Sequence, residues 1–476
     1  MKMAAEKTRI ATVYLPAFYE KRDSILPHLQ TLCPQVEFTG HFRLNGILDE
    51  EGKKRALRYL DEQGEKVHGL LIFGGLQDNR FSDFNLPMIM VQGILVPGDW
   101  QKGYESFYRG AKILPAALCD LDVSSEISER RLQDLARKIN MIHALNQIKH
   151  TKLLLVQEPE VFGQYDVFGM DYHVPFPDDY VQRYAQNLQA LGLEVEHVPL
   201  NEVLNQIPLT DEKAARQVAQ KWIADAVRVN PETNEAEILQ AAKLYLAMKA
   251  VLQEHAADGM AIRSLVPWSQ GRLRVTTCLP NAELNRQLKV GVCEGLLNAA
   301  ITELFSLLLF QRPTFIGDIL GIDRQNDLIT VAHCQSPVNP HGNDLAPYEI
   351  RSHALQKGNP MLPPFMPEIG KSLSAVVRVD LPLDEPVTIA KISVYHQKIA
   401  LASGRSVEGD VYYQDFKNRL CRTKLAVRLN TAAFAARYDS AVFGVHRNVI
   451  FGDFKQEIRD LAVLLGYELV EEDKDR

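Results

Sequence analysis

The chain has 476 residues, 46% hydrophobic and 24% charged, with a formal net charge of −7. That length suits about three domains, the composition supports a sizeable core, and the acidic balance, with no concentrated Lys/Arg tract, excludes a basic footprint for nucleic acid. The stretch MKMAAEKTRIATVYLPAFYE offers no apolar run for a signal peptide, and the most apolar segment, LLNAAITELFSLLLF, is too short for a membrane span and carries Glu303. Six cysteines (Cys33, Cys119, Cys278, Cys293, Cys334, Cys421) are scattered without a CxxC pair. Reduced, inert thiols in a cytoplasmic protein are the expectation.

Taken in chain order, RIATVYLP (9–16) reads as a strand and RDSILPHLQTLC as a helix. HGLLIFGG (68–75) and PMIMVQG (87–93) are continuous apolar runs ending in glycine, as parallel strands covered on both faces should be. AALCDLD (116–122) is expected to add a strand, and ERRLQDLARKINMIHALNQI a long amphipathic helix. A second cycle opens with the strand KLLLVQE, the helix DDYVQRYAQNLQALG closed by Gly192, and the strand LEVEHVPL. Two helices follow, with Thr210 and Asn234 where N-caps belong. Past Arg312-Pro313 the helical period fades. DLITVAHC, LSAVVRVDLP, PVTIAKISVYHQKIALASG, CRTKLAVRL and FGVHRNVIFGD are short strands split by turns, an all-β unit with a barrel as its expected form, before a last helix, FKQEIRDLAVLLG.

No GxGxxG, HExxH or GxSxG occurs, and the GKS at 370–372 has Phe365 where a phosphate loop needs glycine. The chemistry-bearing pattern lies elsewhere. Lys289 to Cys293 reads as a buried strand, and from Leu296 the apolar residues recur at helical spacing, so Glu294 stands at the carboxyl end of a strand, opening a helix. Ligands of open α/β sheets sit at that edge; an acid placed there to complement the helix dipole is the plainer alternative. Asp318 follows the β-like run TFIG, one helix and one returning strand later, and is either a second rim carboxylate or a turn residue. His333 closes LITVAH and His446 lies in FGVHRNVIFGD; each is a candidate ligand or a core histidine bonded to backbone. Two carboxylates with one or two imidazoles suit a hard-to-borderline divalent ion such as Mn²⁺.

The segments TTCLPNAELNRQLKVGVCEGLLNAA, DRQNDLITVAHC, CRTKLAVRL and GVHRNVIFGD together resemble the L-fucose/L-arabinose isomerase family, most strongly from about Cys278 to Gln335 and again over 421–453. The resemblance implies two doubly wound α/β domains (1–150 and 151–312, the second carrying Glu294) followed by an antiparallel β-barrel domain (313–476) carrying Asp318, His333 and His446. It also implies a divalent metal, usually Mn²⁺, between the second and third domains, and interconversion of an aldose and a ketose through an enediol. In that likeness Glu294 both ligates metal and transfers protons, and Asp318 is the second catalytic carboxylate, aspartate in the fucose branch and glutamate in the arabinose branch. His446 is the C-terminal histidine ligand, and His333 resembles a ligand of the arabinose branch. Val445 stands where the fucose branch has asparagine.

The resemblance further implies a homo-oligomer, often a hexamer, in which the first domain of a neighbouring subunit closes the site. Gln77, Asn79, Trp100 and Gln101 lie in the first-domain loops suited to this, as sugar contacts or as ordinary loop residues. Arg447, with Arg272 and Arg274, is a candidate for an anionic substituent on the monosaccharide, the plainer reading being solvated strand-edge arginines. A metal-dependent hydrolase or lyase and a non-catalytic sugar-binding module are the competing functional classes. No nucleic-acid partner and no membrane association are expected.

Overall fold

A computed structural model describes residues 7–74, 78–92, 112–117, 126–165, 177–354, 374–410 and 421–475. The chain is mixed α/β, with parallel sheets and one closed antiparallel barrel. It divides into two compact units: Met1–Lys149 with Arg459–Glu468, and His150–Ile458 with Leu469–Arg476. Among the described residues no helix is long and apolar enough to cross a membrane.

The first unit is built on strands β1 (Thr8–Tyr14), β2 (Val36–Arg43), β3 (Gly69–Phe73), β4 (Met88–Gln92) and β5 (Ile113–Ala117). They pair in parallel in the order β2-β1-β3-β4-β5. β3 is buried at every position, as its unbroken apolar sequence requires of a strand covered on both faces. The fifth strand begins earlier than AALCDLD suggests, and residues 118–125 lie outside the described residues. Asp49 caps the helix Glu50–Gln63 by accepting from the Gly52 N–H at 2.9 Å.

In the second unit come β6 (Lys152–Gln157), β7 (Glu194–Pro199), the two-residue β8 (Arg228–Val229), β9 (Gly259–Ile262) and β10 (Val290–Cys293). All but β8 form a parallel sheet in the order β10-β9-β6-β7, leaving β10 at its edge. Gly192, at φ 79°, ends the helix Tyr180–Leu191 as expected. The helix Glu235–Glu254 is capped by Asn234. The helix Glu212–Asp225, however, is capped by Asp211 and not Thr210: the Asp211 carboxylate accepts from the N–H groups of Lys213 and Ala214. Either residue type caps well, and the chain turns helical one residue later than Thr210 would require.

The barrel strands are β11 (Phe315–Asp323), β12 (Leu328–His333), β15 (Pro386–Ser393), β16 (Lys398–Glu408), β17 (Thr423–Arg428) and β18 (His446–Phe451). Every pairing is antiparallel, and the ring β15-β18-β11-β12-β17-β16 closes through β16 and β15. β19 (Glu468–Glu471) extends the order beyond β16. The run LSAVVRVDLP is not a barrel strand. It supplies β14 (Val376–Val379), which pairs with β13 (Tyr348–Arg351), itself paired with β8, in a small separate sheet. One buried cluster joins the second parallel sheet to the barrel, from Leu154, Met260 and Ile262 to Phe315, Ile329, Val387 and Val449. Each such side chain contributes about 1.5–3 kcal/mol when fully buried. That shared core packs the sheet whose edge strand is β10 against the barrel that carries β11, β12 and β18.

Candidate metal centre

Glu294 does not open a helix. It sits alone after β10 with φ 64°, followed by Gly295 at φ 69°, and the helix begins only at Leu297. A Cβ on Gly295 would run into Cγ of Arg263 as well as meet the left-handed backbone, so glycine is required there. The two left-handed residues turn the chain sharply and leave the Glu294 side chain free of the first helical turn, which removes the helix-dipole explanation for it.

Asp318 is likewise no turn residue. It lies within β11, directly opposite His446 on β18 and Ala332 on β12. Opposed residues of an antiparallel pair share a face, which brings the His446 Nε2 to 3.2 Å from Asp318 Oδ1. The same nitrogen lies 3.7 Å from Glu294 Oε2. His333, the last residue of β12, places Nε2 3.4 Å from Glu294 Oε1, and its ring stands edge-on to that of His446 with centroids 5.4 Å apart. The four residues singled out in the sequence thus meet at one place.

The imidazoles are enclosed, at 5% and 9% side-chain exposure for His333 and His446, while Glu294 and Asp318 retain 24% and 25%. Nitrogen donors form the floor and carboxylate oxygens the open rim. Burial raises the Glu294 pKa, but the contact with His333 and the charges of His446 and His333 outweigh it and hold the carboxyl at about 2. Glu294 is therefore an anion throughout the neutral range.

The His446 Nε2 is buried and has no hydrogen-bond partner among the described residues, despite its approach to two carboxylates. A buried nitrogen left without a partner ordinarily costs about 1–3 kcal/mol. A divalent cation would satisfy it. Asp318, His333 and His446 each offer a donor atom within 4.8 Å of the others, as do Cys293, Glu294 and His333. Two carboxylates and an imidazole fit a hard-to-borderline ion. The Cys293 thiol, 3.8 Å from His333 Nε2, is pushed up to about 12 by burial and so remains protonated, a poor ligand.

Arg447 has a different role from the one expected. Side chains on a strand alternate between faces, so Arg447 points away from its neighbour His446. It is wholly buried against Glu472, with Nη2 2.8 Å from Oε1, and donates to the Gly444 carbonyl at 2.7 Å. No donor of this guanidinium is turned toward a substrate. Arg272 pairs with Glu158, and the 63% exposed Arg274 is 3.8 Å from Glu237. Gln77, Trp100 and Gln101 lie outside the described residues, as does the side chain of Asn79. The sequence reading passed over Gln335, whose amide sits behind the site. A polar residue two positions past the end of the strand LITVAH was the available signal.

No family model matches this chain, and no curated protein matches it. Among solved structures it is similar to an ABC transporter solute-binding protein from Burkholderia multivorans, whose unknown ligand is represented as α-D-erythrofuranose. That alignment has 16% identity and a TM-score of 0.18, and covers 56% of this chain and 86% of that one. It is also similar to a LacI family transcriptional regulator from Arthrobacter sp. FB24 in complex with lactose, at 13% identity and a TM-score of 0.16, over 63% of this chain and 90% of that one.

Proposed function

We propose that this chain is a divalent-metal-dependent aldose–ketose isomerase acting on a monosaccharide. The observation that carries the reading is the meeting of Glu294 and Asp318 around the unpartnered Nε2 of His446. Glu294, Asp318 and His446 would hold the ion, with His333 beside them, and Mn²⁺ is the ion proposed. Such an ion supplies Lewis-acid polarisation of the sugar carbonyl. The chain's own part is proton transfer. Moving a proton between C2 and C1 through an enediol needs a base on one carbon and an acid on the other, and Glu294 and Asp318 are the two rim carboxylates that do this. The buried imidazoles fix the positions of those carboxylates and keep water off their inner side.

In this reading the two parallel sheets are the cores of doubly wound domains. The working form is a homo-oligomer, a hexamer by the family resemblance, whose neighbouring subunit closes the open rim.

The test is ketose formation from a panel of neutral and anionic aldoses with Mn²⁺, run in D₂O. Incorporation of solvent deuterium at the reacting carbon is expected, because a proton held by a carboxylate exchanges. Glu294→Gln and Asp318→Asn should each lower turnover by about 10²-fold or more, and a chelator should abolish it. Full turnover after verified metal removal would overturn the metal requirement. Hydrolytic products in place of a ketose would move the protein to the hydrolases.

A further inference from the structure

We infer that Gln335 is a positioning residue for this centre: it fixes the tautomer of His333 and pins the strand that carries Glu294. The inference rests on the metal-centre reading above, but its geometry stands independently of any reaction. Gln335 is 3% exposed. Its Oε1 accepts from the Cys293 N–H at 3.0 Å and from Asn281 Nδ2 at 3.1 Å; its Nε2 donates to the Gly291 carbonyl at 2.6 Å and to Asn285 Oδ1 at 3.2 Å. All the hydrogen-bonding capacity of a primary amide, two donors and two lone pairs, is thereby used.

The partners show what this does. Gly291 and Cys293 belong to β10, the edge strand of its sheet. A carbonyl and the N–H two residues on are what an adjoining strand would engage, so the Gln335 amide, sharing the Gly291 carbonyl with Asn285 Nδ2 at 3.2 Å, covers the outer edge just before Glu294. Meanwhile the backbone N–H of Gln335 donates to His333 Nδ1 at 3.2 Å. A backbone N–H can only donate to an unprotonated nitrogen, so the neutral ring carries its hydrogen on Nε2, the atom 3.4 Å from Glu294 Oε1. His333 in this state presents a donor to Glu294, and the amide that anchors β10 belongs to the same residue whose N–H sets that state. Glu294 is thus held from both sides by Gln335, once through its own strand and once through His333.

The test reads the metal-free protein first. Nitrogen-15 spectra of histidine-labelled wild type, with the His333 signal assigned by its loss in His333→Gln, should show the hydrogen on Nε2; a hydrogen on Nδ1 overturns the inference without any Gln335 variant. Gln335→Met keeps length and loses every side-chain bond, while Gln335→Glu keeps the acceptors and loses the donors. Both should weaken Mn²⁺ binding in titration calorimetry by about 10–100-fold, the usual effect of losing a group that orients a ligand. Both keep the backbone N–H that bonds His333 Nδ1, so the His333 tautomer should stay as in wild type and any lost affinity reads the side-chain clamp on β10 alone. A folded Gln335→Met or Gln335→Glu variant with wild-type Mn²⁺ affinity would show that the amide is only filler. Wild type that holds Nε2–H but binds no Mn²⁺ would sink the metal reading and leave the clamp standing. No sugar enters these measurements, so a failure to isomerise one leaves them intact.

Discussion

Arg447→Met removes the cation from a carboxylate that has no water to replace it. Both Arg447 and Glu472 are fully enclosed, and the guanidinium reaches Glu472 through Nη2 at 2.8 Å and Nε at 3.2 Å. Breaking a buried pair by deleting one partner costs about 3–5 kcal/mol, because the other charge is left uncompensated. The carbonyls of Gly444 and His446, at 2.7 and 3.2 Å, lose a donor as well, and Tyr438 loses the cation 4.6 Å from its ring centroid. These place the expected loss toward the upper part of that range. The companion experiment is Arg447→Met with Glu472→Leu. Removing both charges eliminates the stranded carboxylate, so the double variant should recover most of the loss, since apolar replacement of a whole buried pair is often neutral or better. Urea unfolding followed by the fluorescence of Trp222 and Trp268, both buried in the same unit, measures this. A single variant within about 1 kcal/mol of wild type, or a double variant no better than the single, would refute the reasoning.

Asp211→Ala should cost about 1 kcal/mol through loss of the helix cap, whereas Thr210→Ala should stay within about 0.5 kcal/mol; equal losses in denaturation would return the cap to Thr210. His255 lies 2.9 Å from both Glu196 and Glu202. Burial lowers its pKa, but the two carboxylates prevail and raise it above the ordinary value. A raised folded-state value means that its stabilisation is fully present below the unfolded pKa of about 6.5 and is lost as pH rises through the folded value. The stability gap between wild type and His255→Gln should therefore be wider at about pH 5 than in the alkaline range, and a gap independent of pH would contradict it.

The strands that carry Glu294 and His333 were legible because each is a short apolar run ended by a ligand-type residue, Glu294 after VGVC and His333 closing LITVAH. That pattern survives without any knowledge of tertiary contacts. Arg447 was misjudged against a rule already available: on a strand it cannot share the face of His446. The sheet of β8, β13 and β14 was not legible, since it joins a two-residue strand to partners far along the chain and no local period announces such a pairing. Gln335 was missed for a similar reason. Its role exists only because β10 is an edge strand, and edge position depends on the order of strands that are distant in sequence. The left-handed turn at Glu294 was hidden because a glutamate signals helix far more readily than positive φ.

That turn yields the last prediction. An L-residue in the left-handed region costs roughly 1–2 kcal/mol, and backbone strain of this kind collects at functional sites. Glu294, at φ 64°, bears such strain without being glycine, asparagine or aspartate. Comparing Glu294→Ala with Glu294→Gly isolates it, because both remove the carboxylate and its contacts with His333 and His446, and only the second relieves the backbone. Glycine ordinarily destabilises a regular element by about 0.5–1 kcal/mol. Here the metal-free Glu294→Gly variant should instead be the more stable of the two, by about 1 kcal/mol in urea unfolding with chelator present. Both should be equally deficient in turnover. If Glu294→Ala matches or exceeds Glu294→Gly in stability, the backbone at this position is not strained. If the ordering holds, the chain keeps at this position a side chain that its backbone disfavours, and the carboxylate between His333 and His446 is the reason.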